Sequence, residues 1–369
     1  MSTFITRFDT AGPGLRLAVK DLIDMQGAPT TAGCRAVADL ALPAAADAAC
    51  LAGARAANAR IVGRTNLHEL ALGVTGVNPW FGTPVNPLDS ARVPGGSSSG
   101  SAVAVATGEA DVAYGSDTGG SVRIPAACCG IAALKTTWGR IPLEGVWPLA
   151  PSLDTVGPMA RDVQGLVEGM ELLEPGFRVA ASPPHRVGRL RIDCDQVIKA
   201  ALDRTLRATG WEVVDLDLPE WNDATAAAVT LVVSEAWTGN QQLVDRYPDK
   251  IGRDVLERIR TGRDITEKTL ASARAIREQW RLRLDEVFRQ VELVLTPTLT
   301  ILPPLVEEGT QLLSARCTLP ANLAGIPALA LPAPTDGPLP ASVQLMAPAG
   351  GEELLLAAGA AFEAAAATT

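Results

Sequence analysis

The chain has 369 residues, 47% of them apolar, which is enough for a sizeable buried core. Its 41 acidic against 32 basic residues give a net charge of −9. Phosphate-backbone binding demands a basic surface, so nucleic acid is excluded as an expected partner. Two histidines argue against a His-based metal centre, and six cysteines without a C-x-x-C pair read as free thiols.

The first ten residues, MSTFITRFDT, carry no apolar segment behind a basic start, so no secretory leader is expected. Residues 1–13 read as a polar, loosely packed lead. The longest smooth apolar run, 224–233, is far short of a membrane span. Together these predict a cytoplasmic protein with no membrane contact.

Leu15, Leu17 and Val19 alternate with Arg16, Ala18 and Lys20, which predicts a strand with Lys20 at its end, facing away from the leucines. Residues 44–60 read as an Ala-rich helix, and 61–62 as a short strand entering a turn at Gly63. A helix is expected at 102–107, a strand at 110–114, and a helix from Arg123 through Ile131 with Pro125 in its first turn. Residues 136–151, rich in Gly, Pro and Trp, form a loop region suited to lining a cleft. Further on, strands at 187–194 and 212–218 flank a helix near 196–209. A long charged helix at 265–289, a buried strand at 293–297 and a closing helix at 352–365 complete the chain.

The segment 94–125 stands apart. It holds two triplets, Gly95-Gly96-Ser97 and Gly119-Gly120-Ser121, each in a turn beside a regular element. Glycine lets successive backbone N–H groups converge on one point, and a hydroxyl beside such a nest suits acyl transfer. Ser121 is the candidate nucleophile, with the N–H groups of Thr118, Gly119, Gly120 and Ser121 as its oxyanion hole. The bland alternative is a glycine-rich turn with a helix N-cap serine. Gly96-Ser97-Ser98-Ser99-Gly100 also fits a nucleophile elbow centred on Ser98. An elbow needs a strand before it and a later histidine, but Pro94 precedes it and only His185 follows. A phosphate loop fails because Ser101, not lysine, follows Gly100.

This stretch resembles the signature of the amidase signature family, serine hydrolases with a Ser–cisSer–Lys triad. Leu17-Ala18-Val19-Lys20-Asp21 is similar to the family's lysine segment, and Gly63 to Ala71 and Asn86-Pro87 follow in family order. So do Leu134-Lys135, Gly139-Arg140, Ser152-Leu153-Asp154, Gly157-Pro158, Thr296-Pro297-Thr298, Asn322, Gly325-Ile326-Pro327 and Gln344. The resemblance covers 14–165 and 290–365. It implies one α/β domain over 1–369, built on a large twisted mixed β-sheet with helices on both faces. Residues 166–289 would be the variable, substrate-shaping part.

The resemblance further implies that Ser121 attacks, that Ser97 (behind a cis peptide bond) relays its proton, and that Lys20 accepts it. A lysine base must fall from a pKa of about 10.4 to about 7–8. Without the resemblance, Lys20 and Lys135 are equal candidates, and the adjacent Asp21 opposes the fall unless it points away. Asp117 and Arg123 would pair to hold the oxyanion loop, with Arg123 as a substrate clamp the alternative. Gly95, Gly96, Ser98 and Ser99 would support the loop, Ser99 as a helix cap. His68 is read as structural, and Trp80, Trp138 and Trp147 as packing, with stacking on an aromatic substrate open to one of them.

No metal and no organic cofactor is expected. The expected partner is a small-molecule amide, with a homodimer open. Hydrolysis of small carboxamides is the favoured activity. The alternatives are the glutaminase subunit of a tRNA amidotransferase and a carbamate or urea-type hydrolase. The short middle region and early Lys20 argue against the amidotransferase reading.

Overall fold

The computed structural model describes residues 2–368. Among them run eleven strands: β1 Phe4–Arg7, β2 Arg16–Lys20, β3 Arg60–Thr65, β4 Val112–Ser116, β5 Ala132–Lys135, β6 Val156–Ala160, β7 Arg186–Leu190, β8 Glu212–Leu216, β9 Leu293–Pro297, β10 Ala328–Ala333 and β11 Ala341–Met346. They form one sheet in the order β1-β3-β2-β4-β6-β5-β10-β11-β9-β7-β8. Strands β3, β2 and β4 are parallel neighbours, as are β9, β7 and β8. The strands between them pair antiparallel. The mixed α/β fold is as expected.

Strand alternation sends side chains into two cores, one on each face. Leu17 and Val19 of β2, with Val112 and Tyr114 of β4, pack with the helix Val163–Leu173. Ala18 and Ala113, from the same strands, pack with the helix Ser99–Ala106. The second core is alanine-rich, so that helix lies close against the sheet. Lys20 shares the Ala18 face, the side from which the Ser99–Ala106 helix approaches.

Two expectations fail. Before β3 starts at Arg60, residues 44–59 hold only a short 3-10 turn and the helix Ala52–Ala56, because Ala44 bridges Gln26 and bonds Gly27 and Ala28, and Ala48 N–H donates to the Asp24 carbonyl. The lead is not loose, since β1 pairs antiparallel with β3 and the Asn66 side chain donates to the Ser2 carbonyl. The apolar run at 224–233 belongs to a 26-residue helix, Trp221–Arg246, which sequence reading did not outline. The middle region is joined to the rest, because β7 pairs with β9. No helix among the described residues is long and apolar enough to cross a membrane.

Candidate active site

Parallel pairing of β2 and β4 brings two chain segments to the same end of the sheet. Lys20 ends β2 and Ser116 ends β4. Lys20 Nζ donates to Ser116 Oγ at 2.8 Å and to Ser97 Oγ at 2.7 Å. All three side chains are buried. Burial penalises the ammonium and pushes Lys20 down to about 7, although Asp117 and Asp154 pull it back up. Asp21 does turn away: its carboxylate pairs with Arg64 and accepts from Thr31.

Lys135 is equally buried and also falls to about 7. It donates only to the carbonyls of Thr136 and Ile326, at 2.9 Å each, and touches no serine. Contact geometry therefore separates two lysines that are equivalent in sequence.

The Gly96–Ser97 peptide bond is cis. Gly95 has φ +74°, and a Cβ there would sit 2.7 Å from Pro125 Cα, so glycine is required. The Ser97 carbonyl accepts from His68 N–H at 2.9 Å. Ser98 and Ser99 are buried beside it. Ser98 Oγ lies 3.3 Å from the Ser116 carbonyl, and its N–H donates to the Ser121 carbonyl at 3.1 Å. Buried and engaged in this way, Ser98 does not stand exposed as an elbow nucleophile would. Ser99 does not cap: it is the first residue of the Ser99–Ala106 helix, and its hydroxyl is buried without a partner.

Ser121 lies in the loop between β4 and the helix Arg123–Cys129, whose N-cap is Val122 rather than Ser121. With Thr118 and Gly119 it lines a cleft of about 430 Å³. The N–H groups of Thr118, Gly119 and Ser121 have no acceptor among the described residues. Gly120 differs, because its N–H donates to Asp117 Oδ1 at 2.8 Å. Three of the four expected donors are thus free.

Asp117 organises this loop. It accepts from the N–H groups of Gly120 and Val122, from Asn322 Nδ2, and from Arg123 through Nη2 and Nε at 2.8 and 3.0 Å. Burial alone would raise its pKa. The Arg123 guanidinium overrides that and holds the carboxyl well below the usual range. Arg123 also donates to Gln344, Asn322 and the Thr318 carbonyl. Fully buried and saturated, it has no free donor for a substrate, so the clamp alternative falls.

Sequence reading missed Ser116, whose only signal was its place at the end of a strand beside Asp117. It also missed the tie between Thr118 Oγ1 and Asp154 Oδ1, at 2.6 Å. The cleft walls come from three places. Ala71 to Val74 form one wall; Val229, Val232 and Val233 of the long helix form another. The third comprises Arg258 and Thr261 of the helix Arg253–Thr261. Leu313 to Ala315 and Leu319 close the cleft. None of Trp80, Trp138 and Trp147 lines it.

The amidase family model matches residues 13–175 and 168–356. A glutamyl-tRNA(Gln) amidotransferase subunit from Halobacterium salinarum is 35% identical, over 98% of this chain and 99% of the relative. A crystal structure described as an amidase superposes with TM-score 0.87 at 33% identity, covering 95% of this chain and 84% of its own. The corresponding amidotransferase subunit from Thermotoga maritima superposes with TM-score 0.82 at 27% identity, covering 98% and 86%.

These relatives overturn one expectation. They are named as subunits of an enzyme that acts on tRNA, so the exclusion of nucleic acid drawn from a charge of −9 does not stand. Net charge averages over a whole surface, and one subunit can work on a nucleic acid that other chains of its assembly hold. The chain belongs to the amidase signature family, enzymes that act on amide C–N bonds.

Proposed function

We propose that this chain hydrolyses a carboxamide through an acyl-enzyme on Ser121. Ser121 Oγ attacks the amide carbonyl and gives up its proton through Ser97 to neutral Lys20. The free N–H groups of Thr118, Gly119 and Ser121 stabilise the oxyanion, each such donor being worth about 3–4 kcal/mol. The relay returns the proton to the departing nitrogen as the C–N bond breaks. Water then cleaves the ester, leaving a carboxylate. The observation that carries this reading is the 2.7 Å contact between a fully buried Lys20 and Ser97.

The relatives' names favour glutamine as the amide, with the chain serving as the glutaminase of an amidotransferase, over stand-alone action on small carboxamides. Arg258 supports a substrate that carries a carboxylate, being the one charged side chain among the described lining residues. A second reading, a small uncharged carboxamide, is favoured by the walls. Leu72, Val74, Leu149, Val229, Val232 and Val233 are apolar, and no acidic side chain among the described lining residues would meet glutamine's ammonium.

Ammonia release from glutamine, glutarate monoamide and hexanamide separates these readings. Wild type is expected to turn over at least one of them, and Ser121→Ala to lose at least 10³-fold, since removing a serine nucleophile costs up to about 10⁶-fold. Wild-type turnover by Ser121→Ala would place the nucleophile elsewhere.

A further inference from the structure

One residue pair touches both the serine loop and the substrate wall. His68 and Glu69 open a short turn whose next two residues, Leu70 and Ala71, have φ of +51° and +56°. Non-glycine residues rarely hold that left-handed conformation, so surrounding contacts must enforce it. The Leu70 N–H donates to Ala32, and the Ser97 carbonyl accepts from His68 N–H. Past the turn, Ala71 to Val74 line the cleft.

The side chains of the pair reach the other way, to the helix Arg253–Thr261. Glu69 Oε2 accepts from the N–H of Gly252, the N-cap of that helix, at 2.7 Å. Glu69 Oε1 accepts from Trp80 Nε1 at 2.9 Å. His68 Nε2 lies 3.3 Å from Asp254 Oδ2, and Thr75 Oγ1 lies 3.3 Å from its Nδ1. A Cβ on Gly73 would sit 2.0 Å from His68 Nε2, so the ring is pressed beneath the cleft-lining loop. The same helix presents Arg258 and Thr261 to the cleft, one to two turns beyond these anchors. It also packs tightly on the long helix, because a Cβ on Gly262 would lie 1.9 Å from the Val233 carbonyl. Wherever this helix sits, Arg258 and the valine wall are set with it.

We propose that His68 and Glu69 are positioning residues for substrate binding, a latch that seats the helix Arg253–Thr261 and so holds Arg258 in the cleft. The proposal rests on reading this cleft as the substrate site. The hold on the Ser97 carbonyl comes from the His68 backbone N–H and survives when the side-chain contacts of the latch are loosened, so that loosening weakens recognition of a carboxylated amide without slowing the chemical step.

The test is calorimetry on the Ser121→Ala protein with glutarate monoamide and with hexanamide, which has no charge. Asp254→Asn and Glu69→Gln are each added to that background. The Asp254 side chain is 40% exposed, so its variant folds even if a change at buried Glu69 does not. The expected result is a five- to tenfold rise in Kd for glutarate monoamide and less than a twofold change for hexanamide. Arg258→Gln gives a similar loss and removes any further effect of Asp254→Asn. In the enzyme with Ser121 intact, KM rises while kcat stays within twofold. Unchanged affinity for the monoamide in both variants, equal weakening of both ligands, or a fall in kcat at constant KM overturns the latch. Failure of the chemistry is distinguishable: wild type would bind the monoamide without cleaving any amide while the variants still weakened its binding. Binding of neither ligand overturns the cleft assignment and the latch with it.

Discussion

Replacing Lys20 with methionine tests the central physical claim, that a base is kept neutral by burial at a cost to the fold. The folded chain lowers this lysine from 10.5 to about 7. Between those values the unfolded chain holds a proton that the folded chain does not, so stability rises with pH across that window. At about 1.4 kcal/mol per pKa unit, burying Lys20 costs the native state about 4 kcal/mol at pH 7 and about 1 kcal/mol at pH 10. Methionine removes that cost but leaves the Ser97 and Ser116 hydroxyls without their donor, at about 1 kcal/mol each. Lys20→Met is therefore expected to be inactive, yet about 2 kcal/mol more stable than wild type at pH 7. At pH 10 it should be about 1 kcal/mol less stable. Urea unfolding at the two pH values reads the difference directly. Lys135 titrates in the same window but is common to both proteins and cancels. A variant less stable by the same amount at both pH values would refute the reasoning, since Lys20 would then carry no burial cost.

Other outcomes follow from the same geometry. The proposed relay needs Lys20 neutral, so kcat/KM should rise about tenfold per pH unit below about 7 and level above it; a flat profile from pH 5 to 9 would remove Lys20 as the base. Asp117→Asn leaves the buried Arg123 guanidinium without its counter-charge and should destabilise by about 3–5 kcal/mol, read as a drop in urea midpoint. Ser116→Ala frees Lys20 from one of its two hydroxyl contacts and should lower kcat about tenfold at constant KM, as expected for loss of one hydrogen bond. Ser116→Thr should restore most of that rate.

Much of this protein was legible in its sequence because its motifs are local. The two Gly-Gly-Ser turns, the period-two strand ending in Lys20 and the helix starting at Arg123 are each set by neighbours a few residues apart. Where local pattern failed, a distant partner had won. The alanines at 44–48 favour helix, but Ala44 is bridged to Gln26 and Ala48 is tied to the Asp24 carbonyl. The polar lead looked loose until β3 paired with β1. Ser116 had no motif of its own, and its contact with Lys20 exists only because β2 and β4 are parallel neighbours.

The sequence by itself determined the family and the two Gly-Gly-Ser turns on which the proposed acyl transfer rests, because glycine, serine and strand alternation act at short range. Only the tertiary structure decided which buried lysine meets a serine, since Lys20 and Lys135 share their burial and differ only in what lies opposite. It also decided that three backbone donors rather than four are free, because the Asp117 carboxylate folds back onto Gly120. The cleft walls were beyond sequence reading for the same reason: Ala71, Val229, Arg258 and Leu313 are brought together by packing between segments far apart in the chain, and no spacing along the chain encodes that meeting.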